Sequence, residues 1–174
     1  EKFLSIETSW LNKHYIQTAN LDFSTQNDLN NILIGKTAGT KFSGTYNGNN
    51  CKIKNITIQK TWVNNVGIFW YVSGNFQIKN IQFENISLTG NNYVGIFDDI
   101  SGNGNTSLIT NNSFSGITLV GNDYVGIASY VNSAKLQALS GSNISVSGRN
   151  YVGGIAWYIY SYWIGLDALN LNNI

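Results

Sequence analysis

The sequence predicts an all-β fold, a parallel β-solenoid of four to five coils, each about 27–31 residues long. A phrase that recurs four times is the first ground for this: Val66-Gly67-Ile68, Val94-Gly95-Ile96, Val125-Gly126-Ile127 and Val152-Gly153-Gly154-Ile155. Self-similarity at a near-fixed period is the signature of a repeat architecture. The second ground is period-two alternation in short stretches, such as Ile86-x-Leu88 and Ile117-x-Leu119, bounded by Gly and Asn, which read as strands between turns. Composition is the third: 27 Asn, 29 Ser plus Thr and 18 Gly, with no Pro to break a ladder.

The elements follow in order along one domain, 1–174. Residues 1–35 are irregular, an N-terminal cap or a first coil, and 36–174 carry the repeating coils, the last incomplete. Ile53-Lys54-Asn55-Ile56-Thr57-Ile58 matches the start of the unit that opens at Ile78-Lys79-Asn80-Ile81-Gln82-Phe83 and runs to Gly90. Moved along the chain by one period, that unit falls without a gap on Ile109 through Gly121, and by a second on Leu136 through Gly148. A third aligns Leu136 with Leu166 and Asn143 with Asn173, so the chain stops inside a fifth coil at Ile174. Units this short cannot bury a face alone. Stacked about 4.8 Å apart, equivalent strands pair and the inward Ile, Val, Leu and Phe form one core. Asn55, Asn80 and Asn111 are expected in one column where the coil bends, broken by Ala138, because Asn tolerates the left-handed conformation. The glycine of the repeated phrase is placed at a tight bend.

Apolar residues make up 43% of the chain, enough for a core, and charged residues only 11%, against roughly 25% in ordinary domains. The net charge of +1 is spread without a basic stripe, which argues against nucleic acid as a partner. The single cysteine, Cys51, excludes an internal disulfide framework and a Cys-based zinc site, and is read as a buried strand thiol. No apolar run approaches the roughly 18–20 residues of a membrane-spanning helix. The chain opens at Glu1 rather than Met, which is read as a processed or excerpted chain, compatible with export.

The segment Phe42-Ser43-Gly44-Thr45-Tyr46-Asn47-Gly48-Asn49-Asn50, running into Ile53 through Ile58, resembles the first coil of bacterial surface proteins with the GLUG motif, F-S-G-T-F-D-G-N-G followed by I-x-N-L-x-I. The Tyr-Val-Gly-Ile phrases are similar to the motif itself, Y-V-G-G-L-V-G, with Tyr151-Val152-Gly153-Gly154-Ile155 the nearest copy. Tyr15 through Phe23 resembles the family's upstream Y-x-L-T-x-D-I-D-L strand, so the likeness spans about residues 15 to 160. It implies a right-handed parallel β-helix, as in secreted adhesins and large cell-surface proteins. The family's first Asp in D-G-N-G is Asn47 here and its last Gly is Asn50, which weakens any metal or sugar role carried over from that turn.

Little else reads as chemistry. Parallel β-helices also house polysaccharide-cleaving enzymes, and glycoside hydrolysis needs two carboxylates across a cleft. Asp98 and Asp99 form the only adjacent carboxylate pair among nine acidic residues. Consecutive strand residues point to opposite faces, so this pair is expected in a solvated turn. His14 has no catalytic partner by spacing, Arg149 sits in a turn, and Gly102-x-Gly104 lacks the helix and Lys of a phosphate loop. No catalytic residue, metal ligand or cofactor is expected, and the chain is not expected to be an enzyme. Five sequons stand at Asn55, Asn85, Asn105, Asn111 and Asn143, candidates for N-glycosylation; Asn85, Asn105 and Asn143 are the better placed, and Asn55 and Asn111 the poorer. Trp157, Tyr158, Tyr160, Tyr162 and Trp163 form an aromatic strip where other coils carry polar loops. That strip is a candidate for self-association or for stacking on sugars, or else it fills a wider core. Phe3, Leu4, Ile6, Trp10 and Leu11 are candidates for a complementary surface or a cap.

These features predict an extracellular or cell-surface structural protein, a solenoid subunit of a fibre or adhesin whose partners are copies of itself end to end. The alternative is a carbohydrate-binding adhesive module with glycans as partners, and a polysaccharide-cleaving β-helix is a third reading.

Overall fold

In a computed structural model the chain is an all-parallel β-solenoid. The structure describes residues 11–30, 32–37, 39–160, 166–167 and 170–172. The first coil is β1 (His14–Ile16), β2 (Leu21–Asp22) and β3 (Ile32–Ile34). The second is β4 (Thr45–Asn47), β5 (Lys52–Gln59) and β6 (Val66–Gly74), and the third β7 (Gln77–Lys79), β8 (Gln82–Thr89) and β9 (Asn92–Gly102). The fourth is β10 (Leu108–Thr110), β11 (Ser113–Val120), β12 (Asp123–Gly126) and β13 (Ala128–Asn132). The fifth is β14 (Lys135–Gln137), β15 (Ser140–Ser147), β16 (Asn150–Gly153) and β17 (Tyr158–Tyr160), and β18 (Leu166–Asp167) and β19 (Asn170–Asn172) open the next.

The strands line up as three parallel faces. The first is β1-β4-β7-β10-β14-β18, the second β2-β5-β8-β11-β15-β19, and the third runs from β3 and β6 through β9 to β12–β13 and β16–β17. Repeating coils therefore begin at His14, so 14–34 is a coil rather than a cap. The upstream coils are longer than predicted, since Leu21 pairs with Ile53 and Ile32 with Gly67.

Stacking makes columns of like side chains, and the core is built from them. Ile56, Ile86, Ile117 and Ile144 succeed one another on the second face, all buried. Phe83 and Phe114 stack with centroids 5.4 Å apart and planes 2° apart, while Phe97 meets Phe83 edge-on at 5.7 Å. Buried polar groups tie coils together where the columns are not apolar. Gln17 donates to the Lys52 carbonyl at 2.8 Å and accepts from the Tyr46 hydroxyl at 3.1 Å. Asn112 accepts from the Ile81 amide at 2.9 Å and donates to the Ile78 carbonyl at 3.1 Å.

Two sequence expectations change. Ile53 pairs with Phe83, not Ile78, so Asn55 shares its column with Asn85, Gly116 and Asn143, whereas Asn80, Asn111 and Ala138 form a separate one. All of these residues have positive φ. Two apolar-x-Asn triplets in the third coil, Ile78-Lys79-Asn80 and Phe83-Glu84-Asn85, hid the slip. In the first of those columns the Asn85 amide donates to the Asn55 side chain at 3.2 Å, and the Asn55 amide to Asp22 at 2.8 Å. The Asn55 amide, together with Ser24 and Lys54, holds the Asp22 carboxyl well below the usual carboxylate range.

The repeated phrase is the second change. The left-handed bend sits earlier in the phrase, on Tyr93, Tyr124 and Tyr151, with φ of 59°, 63° and 54°, and on Asn65 in the second coil. The glycines have another cause. A Cβ on Gly67 would stand 2.6 Å from the Gly95 carbonyl oxygen, one on Gly95 2.6 Å from that of Gly126, and one on Gly126 2.8 Å from that of Gly153. Each glycine is required by the close approach of the next coil.

A backbone carbonyl cannot swing aside as a side chain can. Gly95→Ala is therefore expected to lower stability in urea unfolding by about 3 kcal/mol, the upper end of ordinary overpacking. Gly39→Ala, whose Cβ would meet only Thr37 Oγ1 at 3.7 Å, is expected to leave stability unchanged within about 0.5 kcal/mol.

Candidate functional site: an aromatic groove on the third face

The third face turns a corner, and the groove lies along it. In β9, Phe97 and Ile100 both belong to the core, so two consecutive residues between them, Asp98 and Asp99, are left for the outside. Strict alternation would have put one of them inward. The acidic pair thus lies on a strand, not in the solvated turn expected from the sequence; Asp98 is only 2% exposed and Asp99 is partly buried.

Register multiplies this corner across four coils. Phe69 pairs with Phe97 and Tyr71 with Asp99, which sets Trp70 beside Asp98. Ala128 pairs with Phe97 and Tyr130 with Asp99, setting Ser129 on the other side. Tyr130 pairs with Tyr158, which brings Trp157 next in line. The floor column reads Trp70, Asp98, Ser129, Trp157, and the column beside it Tyr71, Asp99, Tyr130, Tyr158. Facing them are the tyrosines of the left-handed bend. Tyr93 and Tyr124 stack at 4.5 Å with planes 11° apart, and Tyr124 and Tyr151 at 4.8 Å with planes 5° apart.

Between these walls runs a groove of about 880 Å³, with Asn64, Asn65, Asn132 and Lys41 at its rim. Trp70 bounds one end, its ring 6.0 Å from Tyr71 and 6.5 Å from Tyr93. Trp157 bounds the other, 4.7 Å from Tyr124, 5.3 Å from Tyr151 and 6.5 Å from Tyr130. Three coil steps separate the two indoles, about 14 Å. In the middle the floor drops from indoles to the small polar Asp98 and Ser129.

Polar atoms in this floor lack partners. Among the described residues none hydrogen-bonds Trp70 Nε1, Trp157 Nε1 or Asp98 Oδ1, although all three atoms are buried from solvent. Buried polar groups are nearly always satisfied, so three orphans on one column single it out as the candidate site. Burial pushes the Asp98 carboxyl up to about 8; the Ser129 hydroxyl draws it back and neighbouring Asp99 adds to the rise. Burial raises Asp99 also, opposed by Lys41.

The predicted site residues fall in different places. Trp157 lines the groove and Tyr158 continues its flank, stacked on Tyr130 at 5.1 Å and 7°. Tyr160, half exposed, lies parallel to Tyr158 at 6.3 Å. Tyr162 and Trp163 lie outside the described residues, as do Phe3, Leu4, Ile6 and Trp10. Sequence reasoning missed Trp70, Tyr93, Tyr124 and Asp98 as one group. The signal was present in the register of the repeated phrase, since Asp98, Ser129 and Trp157 each stand shortly after its Ile.

The sequons divide similarly. Asn105 is exposed in the short 3-10 turn Gly104–Thr106, and Asn111 and Asn143 are exposed at left-handed bends. The amide nitrogens of Asn55 and Asn85 are committed to the cross-coil ladder. Cys51 is half-buried just ahead of β5 rather than within a strand, and Arg149 pairs with Asp123 at 3.4 Å. Among the described residues no three His, Cys, Asp or Glu side chains gather where they could hold a metal ion, and no helix is long and apolar enough to cross a membrane.

Fold and groove together define a β-solenoid with a ligand-sized aromatic cleft on its flank. Over 54 residues, 31% of the chain, it is 39% identical to halomucin of Haloquadratum walsbyi, and this stretch spans 1% of that protein's length. No protein-family model matches the chain. No solved structure matches it either.

The position of Asp98 has a consequence for stability. Its proton is released near pH 4 in the unfolded chain but only near pH 8 in the fold. Between those values the native state holds more protons, so stability falls as pH rises from 4 to 8 and levels off above. Urea midpoints across that range should show a decline on the order of a few kcal/mol, flattened in Asp98→Asn. An equal slope in both proteins would place Asp98 in solvent.

Proposed function

We propose that the chain is an extracellular β-solenoid that binds carbohydrate in the aromatic groove of its third face. One observation carries this: two indoles and a facing tyrosine stack enclose a cleft whose floor atoms, two N–H donors and a carboxylate oxygen, lack protein partners among the described residues. Sugars match such a surface. Their C–H faces pack on aromatic rings, and their hydroxyls both donate and accept, so one ligand satisfies Trp70, Trp157 and Asp98 together. The volume falls within the roughly 300–1,000 Å³ of small-ligand sites. The length favours a short oligosaccharide over a single ring.

The scaffold suits an exposed setting. Its surface is held by Asn ladders and scattered cross-coil ion pairs such as Lys52–Glu84 at 2.6 Å and Lys54–Asp22 at 3.1 Å, not by one large charged field. The local likeness to a protein named as a mucin supports an extracellular location. Structural and binding roles are compatible here, because the walls of the cleft are the ribs of the coil.

Titration with gluco-, galacto- and hexosamine-based oligosaccharides, followed by tryptophan fluorescence and calorimetry, tests the proposal. Binding to at least one series is expected, weakened about tenfold or more by Trp157→Ala, which corresponds to ~1.4 kcal/mol. Trp62→Ala, at a side chain 90% exposed and outside the groove lining, should bind as the native chain does. No binding to any series, or unaltered binding by a folded Trp157→Ala protein, would overturn it.

A further inference from the structure

We infer that the groove selects glycans bearing a free primary amine, with the protonated amino group seated on Asp98 between Trp70 and Trp157. This rests on the carbohydrate reading above and names the ligand class. Asp98 lies at the groove floor, 2% exposed, with Oδ1 unpartnered among the described residues. Asp98 also lines the cleft, so a ligand packed on this floor is the group placed to bring Oδ1 a hydrogen-bond donor.

Several features favour a charged donor over a hydroxyl. Asp99 stands next to Asp98 on the same outer corner, so the cleft offers two carboxylates. Lys41 is the one cationic side chain among the lining residues, and it acts on Asp99. The other walls are the rings of Trp70, Tyr71, Tyr93, Tyr124, Tyr130 and Trp157, whose faces carry the negative part of the quadrupole. A hydroxyl on Oδ1 brings no charge to balance ionisation of Asp98, which is costly among these faces, so the carboxyl would stay protonated. An ammonium supplies the donor, neutralises the charge and is attracted to the rings. A quaternary ammonium would satisfy the rings but has no N–H for Oδ1, so the site calls for a primary amine.

Charge on the whole chain is no substitute for this local arrangement. At a net charge of +1 the protein does not draw in cationic sugars by its overall field. Preference for an amine must come from the cleft. The titratable groups that line the cleft with Asp98 are Asp99, Lys41 and the phenols of Tyr71, Tyr93, Tyr124 and Tyr130, and the Ser129 hydroxyl lies beside it.

The test uses three oligosaccharides of one length and linkage at pH 7: a β-1,4-linked glucosamine oligomer, its fully N-acetylated form and the corresponding glucose oligomer. The native chain should bind the free amine at least tenfold more tightly than the other two. Asp98→Asn, nearly identical in shape, should lose that preference, so that its affinities for the three sugars converge. Circular dichroism and a urea midpoint no lower than the native value would show that the variant folds. Equal affinity for all three sugars would overturn the amine selectivity and leave the carbohydrate reading standing. Undiminished preference in folded Asp98→Asn would overturn the seat at Asp98. Failure of all three to bind, when another glycan does, would overturn this inference alone, and failure of every glycan would overturn both.

Discussion

Successive coils of this solenoid approach so closely along Gly67, Gly95, Gly126 and Gly153 that no side chain fits between them. Everything else on the third face depends on that contact. A one-residue slip anywhere in the column would drive a Cβ into a carbonyl, so the register there is fixed by sterics as well as by hydrogen bonds. The same approach brings Tyr93, Tyr124 and Tyr151 into a stack at 4.5 and 4.8 Å, close to the strand spacing itself. Placing aromatic residues at a positive φ costs conformational energy, which the stack and the inter-coil ladder offset.

With register fixed, a column inherits whatever its coils place in it. Most columns are uniform, and uniformity builds core or ladder. The floor column of the groove departs from this, reading Trp70, Asp98, Ser129, Trp157. Four identical indoles would have made a continuous aromatic ridge with no cavity. Two small polar residues in the middle open a space between indoles about 14 Å apart, and the corner between Phe97 and Ile100 turns that space outward. Specific chemistry in a repeat protein sits where the repeat is broken, and here the break and the orphaned polar atoms coincide.

Much of the scaffold was legible in the sequence. The period of the repeat alone predicts the pairings of Ile109 with Ile78, Leu136 with Ile109 and Leu166 with Leu136. Asn55 aligns equally with Asn80 or Asn85 in the sequence, because the third coil carries both Ile78-Lys79-Asn80 and Phe83-Glu84-Asn85, and only three-dimensional pairing separates them. Asp98 was misread for a different reason. Period-two alternation assumes a straight strand, and a corner lets two neighbours share one side. Trp157 could be singled out as an aromatic in a polar position. Its partner Trp70 lies three coils earlier in the chain, and nothing local in its sequence distinguishes it from a core residue.

A crystal structure of the chain with a bound glucosamine oligomer tests the central claim most directly. The account predicts sugar between Trp70 and Trp157, rings against the Tyr93–Tyr124 stack, and an amino nitrogen within hydrogen-bond distance of Asp98 Oδ1. Sugar bound elsewhere, or an Asp98 side chain turned into solvent with the groove closed over, would contradict it.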